Sequence, residues 1–317
     1  MGTVGRIRQG SLAALATIAT LTATSALAAG PKCLNLPAQK VGMQLYSVLS
    51  EFRPAAPALP AGAPRPPPAH VDPARLDATF AALQAMGWRN IENFGGNWGQ
   101  GDAGYKAIAD RHGLKFVAAH ETNVEAGFPE AIDRAKALGQ KYIGLSQWGG
   151  PGLTTLEQVL GTAAHVNAMG KMAADRGLIF YLHNHQDEFK NKFSYDITGD
   201  GKPEMVTAWE IVAAKTDPRY VSFEVDVHWA RMAMGLDKYP ELLSFLRQHR
   251  DRVVMLHVKD TTADGKITDL GRGTTEWDKV VAAAGPQVAY YLWEFDGPPN
   301  ALESARIAHD YLACGKP

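Results

Sequence analysis

Cysteine is scarce in this 317-residue chain: Cys33 and Cys314 are its only two. Two thiols exclude a cysteine-based zinc framework and a multiply bridged scaffold. They leave open one disulfide joining the chain ends in an oxidising compartment, or two free thiols. Net charge is also missing. Thirty-two Lys+Arg face 33 Asp+Glu, a formal −1, which excludes the basic footprint of a nucleic-acid or acidic-membrane binder. No strongly apolar run reaches the ~20 residues needed to cross a bilayer. With 46% hydrophobic and 21% charged residues, what remains is ordinary globular composition, neither disordered nor fibrous.

The even totals hide one lopsided segment. Arg6 and Arg8 precede an Ala/Thr-rich apolar run over 12–27, and Ala26-Leu27-Ala28 is a small-x-small cleavage pattern. This is the order of a secretory signal peptide over 1–28. Cys33 lies too far beyond the cleavage point for a lipoprotein anchor. The expectation is a periplasmic or secreted protein, with no stable membrane insertion after cleavage. Its 29–317 domain has 289 residues and a formal charge of −3.

Within 29–317, short apolar runs alternate with amphipathic helical stretches. Strands are expected at 41–46, 90–94, 115–120, 142–147, 179–185, 221–228, 253–259 and 289–295. Helical patterns at 76–86, 105–112, 128–138, 155–176 and 239–249 separate them. Glycines 87, 113 and 177 stand where helix ends favour left-handed backbone. Eight such units predict a single-domain α/β (β/α)8 barrel. A doubly wound sheet is the rival, but no glycine-rich phosphate loop follows the first strand. Long βα loops are expected after strand 1, over the Pro/Ala-rich 53–73, and after strand 5, over 189–205. Asp196-Ile-Thr-Gly-Asp200-Gly in the second lacks the regular ligand positions of a calcium loop and matches turn chemistry.

Polar residues interrupt the strands at one end. In Val221-Ser-Phe-Glu-Val-Asp-Val-His228, Phe223, Val225 and Val227 alternate with Glu224, Asp226 and His228. The apolar set suits the helix-covered outside, and the polar set points into the barrel. Strand 5 ends in His183-Asn-His185, strand 7 in His257-Val-Lys259-Asp260 and strand 8 in Glu294-Phe-Asp296; strand 2 carries Glu92 and strand 3 ends in His120-Glu121. Burying such groups unpartnered would cost several kcal/mol each. A metal or a hydrogen-bonded polar cavity compensates. His183, Asp226, His257 and Glu294 form the best single donor set, and its mixed N/O character suits Mn, Co, Zn or Mg.

These motifs carry a resemblance. Tyr181-Leu-His-Asn-His185, Phe223-Glu-Val-Asp-Val-His-Trp229, Leu256-His-Val-Lys-Asp260 and Asp269-Leu-Gly-Arg-Gly-Thr-Thr-Glu-Trp277 resemble the xylose isomerase-like TIM barrels, the sugar phosphate isomerase/epimerase group. The resemblance implies one metal ligand from each of strands 5 to 8, falling on His183, Asp226, His257 and Glu294. Ketose 3-epimerases place Glu on strand 5, paired with the strand-8 Glu as acid and base. His183 stands there instead, as in the inosose-dehydratase and keto-glycoside branches.

The implied chemistry is deprotonation next to a carbonyl, with a divalent ion stabilising the resulting enediolate. Glu92, His120 and His185 are the candidate bases, with Glu294 a further catalytic carboxylate and Glu224 a support to the metal. Lys259 suits a developing oxyanion, or a salt bridge to Asp226 or Asp260. Trp148, Trp229, His228 and Arg272 are candidate contacts to a small-molecule carbohydrate, and Trp98 is a third candidate platform. Reprotonation makes the protein an isomerase or epimerase, and loss of a β-substituent a dehydratase or lyase. A phosphodiester hydrolase of the AP-endonuclease type or a non-catalytic sugar-binding barrel are the other readings. The absence of a basic excess opposes nucleic acid as partner. The sequence leaves a homo-oligomer open.

Overall fold

The computed structural model describes residues 1–2, 33–53 and 71–316. The expected signal segment, beyond its first two residues, and positions 54–70 of the expected first loop lie outside the described residues. Within the unit Pro31–Pro317, eight parallel strands close a barrel. They are β1 (Val41–Gln44), β2 (Asn90–Phe94), β3 (Lys115–His120), β4 (Tyr142–Leu145), β5 (Ile179–His183), β6 (Val221–Asp226), β7 (Val253–Val258) and β8 (Tyr290–Trp293). β8 pairs with both β1 and β7, so no edge is left open.

The helices begin where side chains satisfy their free amides. Asp72 caps Pro73–Ala85, with proline in the first turn. Thr155 caps Leu156–Asp175, Thr207 and Glu210 form a capping box on Ala208–Lys215, and Asn300 caps Ala301–Ala313. Outward residues such as Val221, Phe223 and Val225 are buried beneath these helices. Inside, a separate apolar cluster of Val117, Ala118, Tyr142, Tyr181, Met255 and Leu292 fills the half where the strands begin. Gly144 makes room for it: a Cβ there would sit 2.4 Å from the Tyr181 ring.

Several strands stop earlier than the sequence pattern suggests. β6 ends at Asp226 because that side chain caps a helix, Val227–Met234, by accepting from Trp229 N at 2.9 Å. His228 therefore leaves the strand alternation. The stretch after β5 is not one long loop. A short helix, Asp187–Lys190, leads into an antiparallel hairpin of Lys192–Tyr195 and Glu204–Thr207. At its tip the Asp196 carboxylate accepts from the amides of Gly199, Asp200 and Gly201, which makes the motif a turn. Cys33 and Cys314 form a disulfide joining the segment before β1 to the end of the last helix. Leu34 N and Leu36 N donate to Tyr311 O and Leu312 O beside it, at 2.8 and 2.9 Å.

Candidate active site

Register sets the site. Across β5 and β6, His183 pairs with Glu224, and across β6 and β7, Asp226 pairs with His257. Inward side chains from successive strands therefore meet in two tiers where the strands end.

The lower tier is a closed network. Glu92 accepts from the Tyr181 hydroxyl, from Gln44 Nε2 at 2.8 Å and from His257 Nε2 at 2.6 Å. Glu224 Oε2 receives His120 Nε2 and His183 Nδ1, both at 3.0 Å, while its Oε1 is buried with no hydrogen-bond partner. Burial would raise the Glu224 carboxyl, but His257 and the bonds from His120 and His183 hold it well below its usual value. Burial would lower His257. The carboxylates of Glu224, Glu294 and Glu92 outweigh it and push the imidazole well upward, matching a ring whose two nitrogens both face carboxylates.

The upper tier centres on Lys259. Its Nζ lies 2.7 Å from Glu294 Oε2 and 3.0 Å from both Asp226 Oδ2 and Asp296 Oδ2. Against the cost of burial, these three carboxylates raise Lys259 well above its ordinary pKa and keep it charged. His257 Nδ1 joins the tiers through Glu294 Oε2 at 2.8 Å. Asn184 holds the strand end from which Asp226 projects, its amide oxygen accepting from Asp226 N at 3.0 Å.

Two overlapping groups of donors are close enough to share one ion. His183, Asp226, His257 and Glu294 offer ligand atoms all within 4.8 Å of one another, as do His120, His183, Glu224 and His257. Charge and hydrogen bonding both test the fit. Glu92, Glu224, Asp226, Glu294 and Asp296 gather around one lysine and the imidazoles, and Glu224 Oε1 accepts no hydrogen bond. A buried excess of carboxylate over cation is the environment that a divalent ion stabilises. The donor set fits such an ion.

Above these residues opens a cavity of about 250 Å³, lined by Gln44, Tyr46, Phe94, His120, Ser146, Gln147, His183, His185, Glu294 and Asp296. His185 is its distinctive member. Neither of its ring nitrogens has a protein partner among the described residues, and burial lowers its pKa. Its backbone is held by Glu188, whose carboxylate accepts from His185 N at 2.9 Å.

The remaining sequence candidates are placed otherwise. Trp148 is buried and donates from Nε1 to His183 O at 2.6 Å, bracing β5 rather than facing a ligand. Trp98 is likewise buried, edge-on to Phe52, and lines a cleft that adjoins the cavity. His228 is buried against Thr261, Nδ1 to Oγ1 at 2.8 Å, and burial with the nearby Lys259 charge lowers its pKa to about 4. Trp229 lies over the Lys259 ammonium, 5.4 Å from ring centre to Nζ. Arg272 is carried away altogether. It pairs with Asp269 at 3.2 Å and lines an outer cleft beside the disulfide. Asp260, offered as a partner for Lys259, instead accepts the amides of Gly271 and Gly273 at 3.0 Å and folds that loop outward. Sequence reasoning missed Gln44, Tyr181 and Glu188. Gln44 and Tyr181 share the inward alternation of their strands, a signal that was there to use.

No protein-family model and no curated protein matches the sequence. Solved structures do. A sugar phosphate isomerase/epimerase from Parabacteroides distasonis superposes with a TM-score of 0.64 at 20% identity, covering 88% of this chain and 96% of that one. A probable 3-DHS dehydratase from Bacillus anthracis gives 0.59 at 10% identity, with 86% and 97% covered. A 3-keto-D-glucoside 4-epimerase from E. coli gives 0.52 at 14% identity, with 85% and 97% covered. The chain shares the TIM-barrel fold of these structures.

Proposed function

We propose that the protein is a divalent-cation-dependent isomerase or epimerase that removes a proton next to the carbonyl of an unphosphorylated sugar, keto-sugar or 3-keto-glycoside. One observation carries this: the His183–Asp226–His257–Glu294 donor set lies beneath a cavity into which His185 presents an unpartnered imidazole. An ion of Mn, Co, Zn or Mg held by that set supplies Lewis acidity toward a carbonyl and its neighbouring hydroxyl.

The chain's own groups then divide the work. His185 is the general base: burial favours its neutral imidazole, and no group among the described residues competes for its nitrogens. Glu92 is a positioning residue, because it is fully buried and bonded to Tyr181, Gln44 and His257. His120 is held by Glu224 in the same way. Lys259 offsets negative charge that develops beside Glu294. Among the described residues the wall contains no arginine or lysine, which favours a neutral sugar over a phosphosugar or phosphodiester. Epimerisation of a 3-keto-glucoside, the activity for which the E. coli neighbour is named, belongs to the same chemistry. Export to an oxidising compartment is part of the proposal, supported by Arg6, Arg8 and the Ala26-Leu27-Ala28 pattern together with the Cys33–Cys314 pair.

Incubation with 3-keto-glucosides in D2O tests it. Deuterium should enter the carbon beside the carbonyl, vanish after chelation and return with metal. Exchange that persists in metal-free protein would overturn the mechanism, and elimination products would reassign the outcome to a lyase.

A further inference from the structure

The cavity above the donor set has a neighbour. A second cleft, of about 550 Å³, shares Phe94, His120 and Ser146 with it. At about 250 Å³ the first is smaller than the ~300–1,000 Å³ usual for a whole ligand, whereas the second lies within that range.

The wall of the second cleft has a definite chemistry. The turn after β2 supplies Gly95, Gly96 and Gly99, all with positive φ, together with Asn97 and Trp98. Arg134 is held bidentate by Glu121, Nε to Oε1 at 3.2 Å and Nη2 to Oε2 at 2.6 Å, so the pair presents polar edges without net charge. Thr122 and Asn97 add neutral polar groups. At the junction stands Phe94, with Tyr46 edge-on to it at 5.2 Å between ring centres. Tyr46 is 38% exposed, the only aromatic side chain among the exposed large hydrophobics of the described residues. An aromatic platform between neutral hydrogen-bonding groups suits a sugar ring, which has apolar faces and hydroxyl edges. It suits neither an anion nor an acyl chain.

We infer that the second cleft is a subsite for a second neutral sugar ring, so that the substrate is a glycoside of disaccharide size lying across Phe94. The reacting ring would occupy the first cavity, and to that extent the inference rests on the proposed function. Calorimetric titration of the full chain with methyl glucoside and with maltose, cellobiose and trehalose, none of which can react, tests the subsite alone. At least one disaccharide should bind tenfold or more tighter than methyl glucoside. Phe94 lines both cavities, so Phe94→Ala should weaken disaccharide binding by a clearly larger factor than methyl glucoside binding, and Phe94→Tyr should keep the advantage. Equal affinities for all four sugars in the unaltered protein, or an equal loss for every sugar in Phe94→Ala with Phe94→Tyr normal, would overturn the subsite. Absence of deuterium exchange with keto-glucosides, alongside intact disaccharide selectivity, would defeat the proposed reaction and leave the subsite standing.

Discussion

The two ends of the barrel interior are built on opposite principles. Where the strands begin, Tyr142, Met255, Leu292 and Ala118 pack without a charge among them. Where they end, five carboxylates, Lys259 and three imidazoles from different strands crowd into the same bore. The first end gains stability from burial, roughly 25 cal/mol per Å² of apolar surface. The second spends part of it, because each ionised group has lost its water and recovers it only through its neighbours. Tyr181 marks the border, with its ring in the apolar cluster and its hydroxyl on Glu92. Chemistry can thus vary at one end while the other keeps the barrel closed.

That division can be broken from either side. The largest effect is expected at the ionic end: His257→Gln should cost at least about 100-fold in turnover and strip bound metal, by activity and metal analysis. A large fall in melting temperature with metal retained would show that the network is structural. At the opposite end, breaking the Cys33–Cys314 link by Cys314→Ser should cost roughly 3–5 kcal/mol in denaturant unfolding, because the bond closes a loop 281 residues long. Metal content should not change. Leu292→Ala should remove about 2–4 kcal/mol by the same measurement and also leave metal content intact, since it opens a cavity below the donors.

The smallest effect concerns Glu188, buried beside His185. Burial raises its carboxyl from 4.5 to about 7. The folded state therefore holds the proton more tightly than the unfolded state. This contribution is complete below about pH 4.5 and is lost as pH rises toward 7, by no more than about 3 kcal/mol. Glu188→Gln, which keeps an acceptor for His185 N, should flatten that slope in melting curves taken from pH 4.5 to 7.5. An unchanged slope would place the titration elsewhere.

Much of this was legible in the residues. Alternation and strand-terminal position alone singled out His183, Asp226, His257 and Glu294, because inward-facing polar residues are expensive unless they meet. The partners were less legible. Glu92 and His257 are 165 residues apart and touch only because the barrel closes. His228 matched the strand period, yet Asp226 caps a helix there and turns it away. Trp148 and Arg272 had the right chemistry and the right loops. One became a brace for His183, and the other followed a loop that the Asp260 carboxylate folds outward.

The sequence by itself determined the number of barrel strands, the inward and outward faces and the end of the barrel at which charge collects. These depend on short-range periodicity and on the cost of burying polar groups. Only the tertiary structure decided which carboxylate meets Lys259, which imidazole keeps free nitrogens and which two cavities adjoin. Those are distances between strands far apart in the chain, set by register and closure, and no local pattern encodes them.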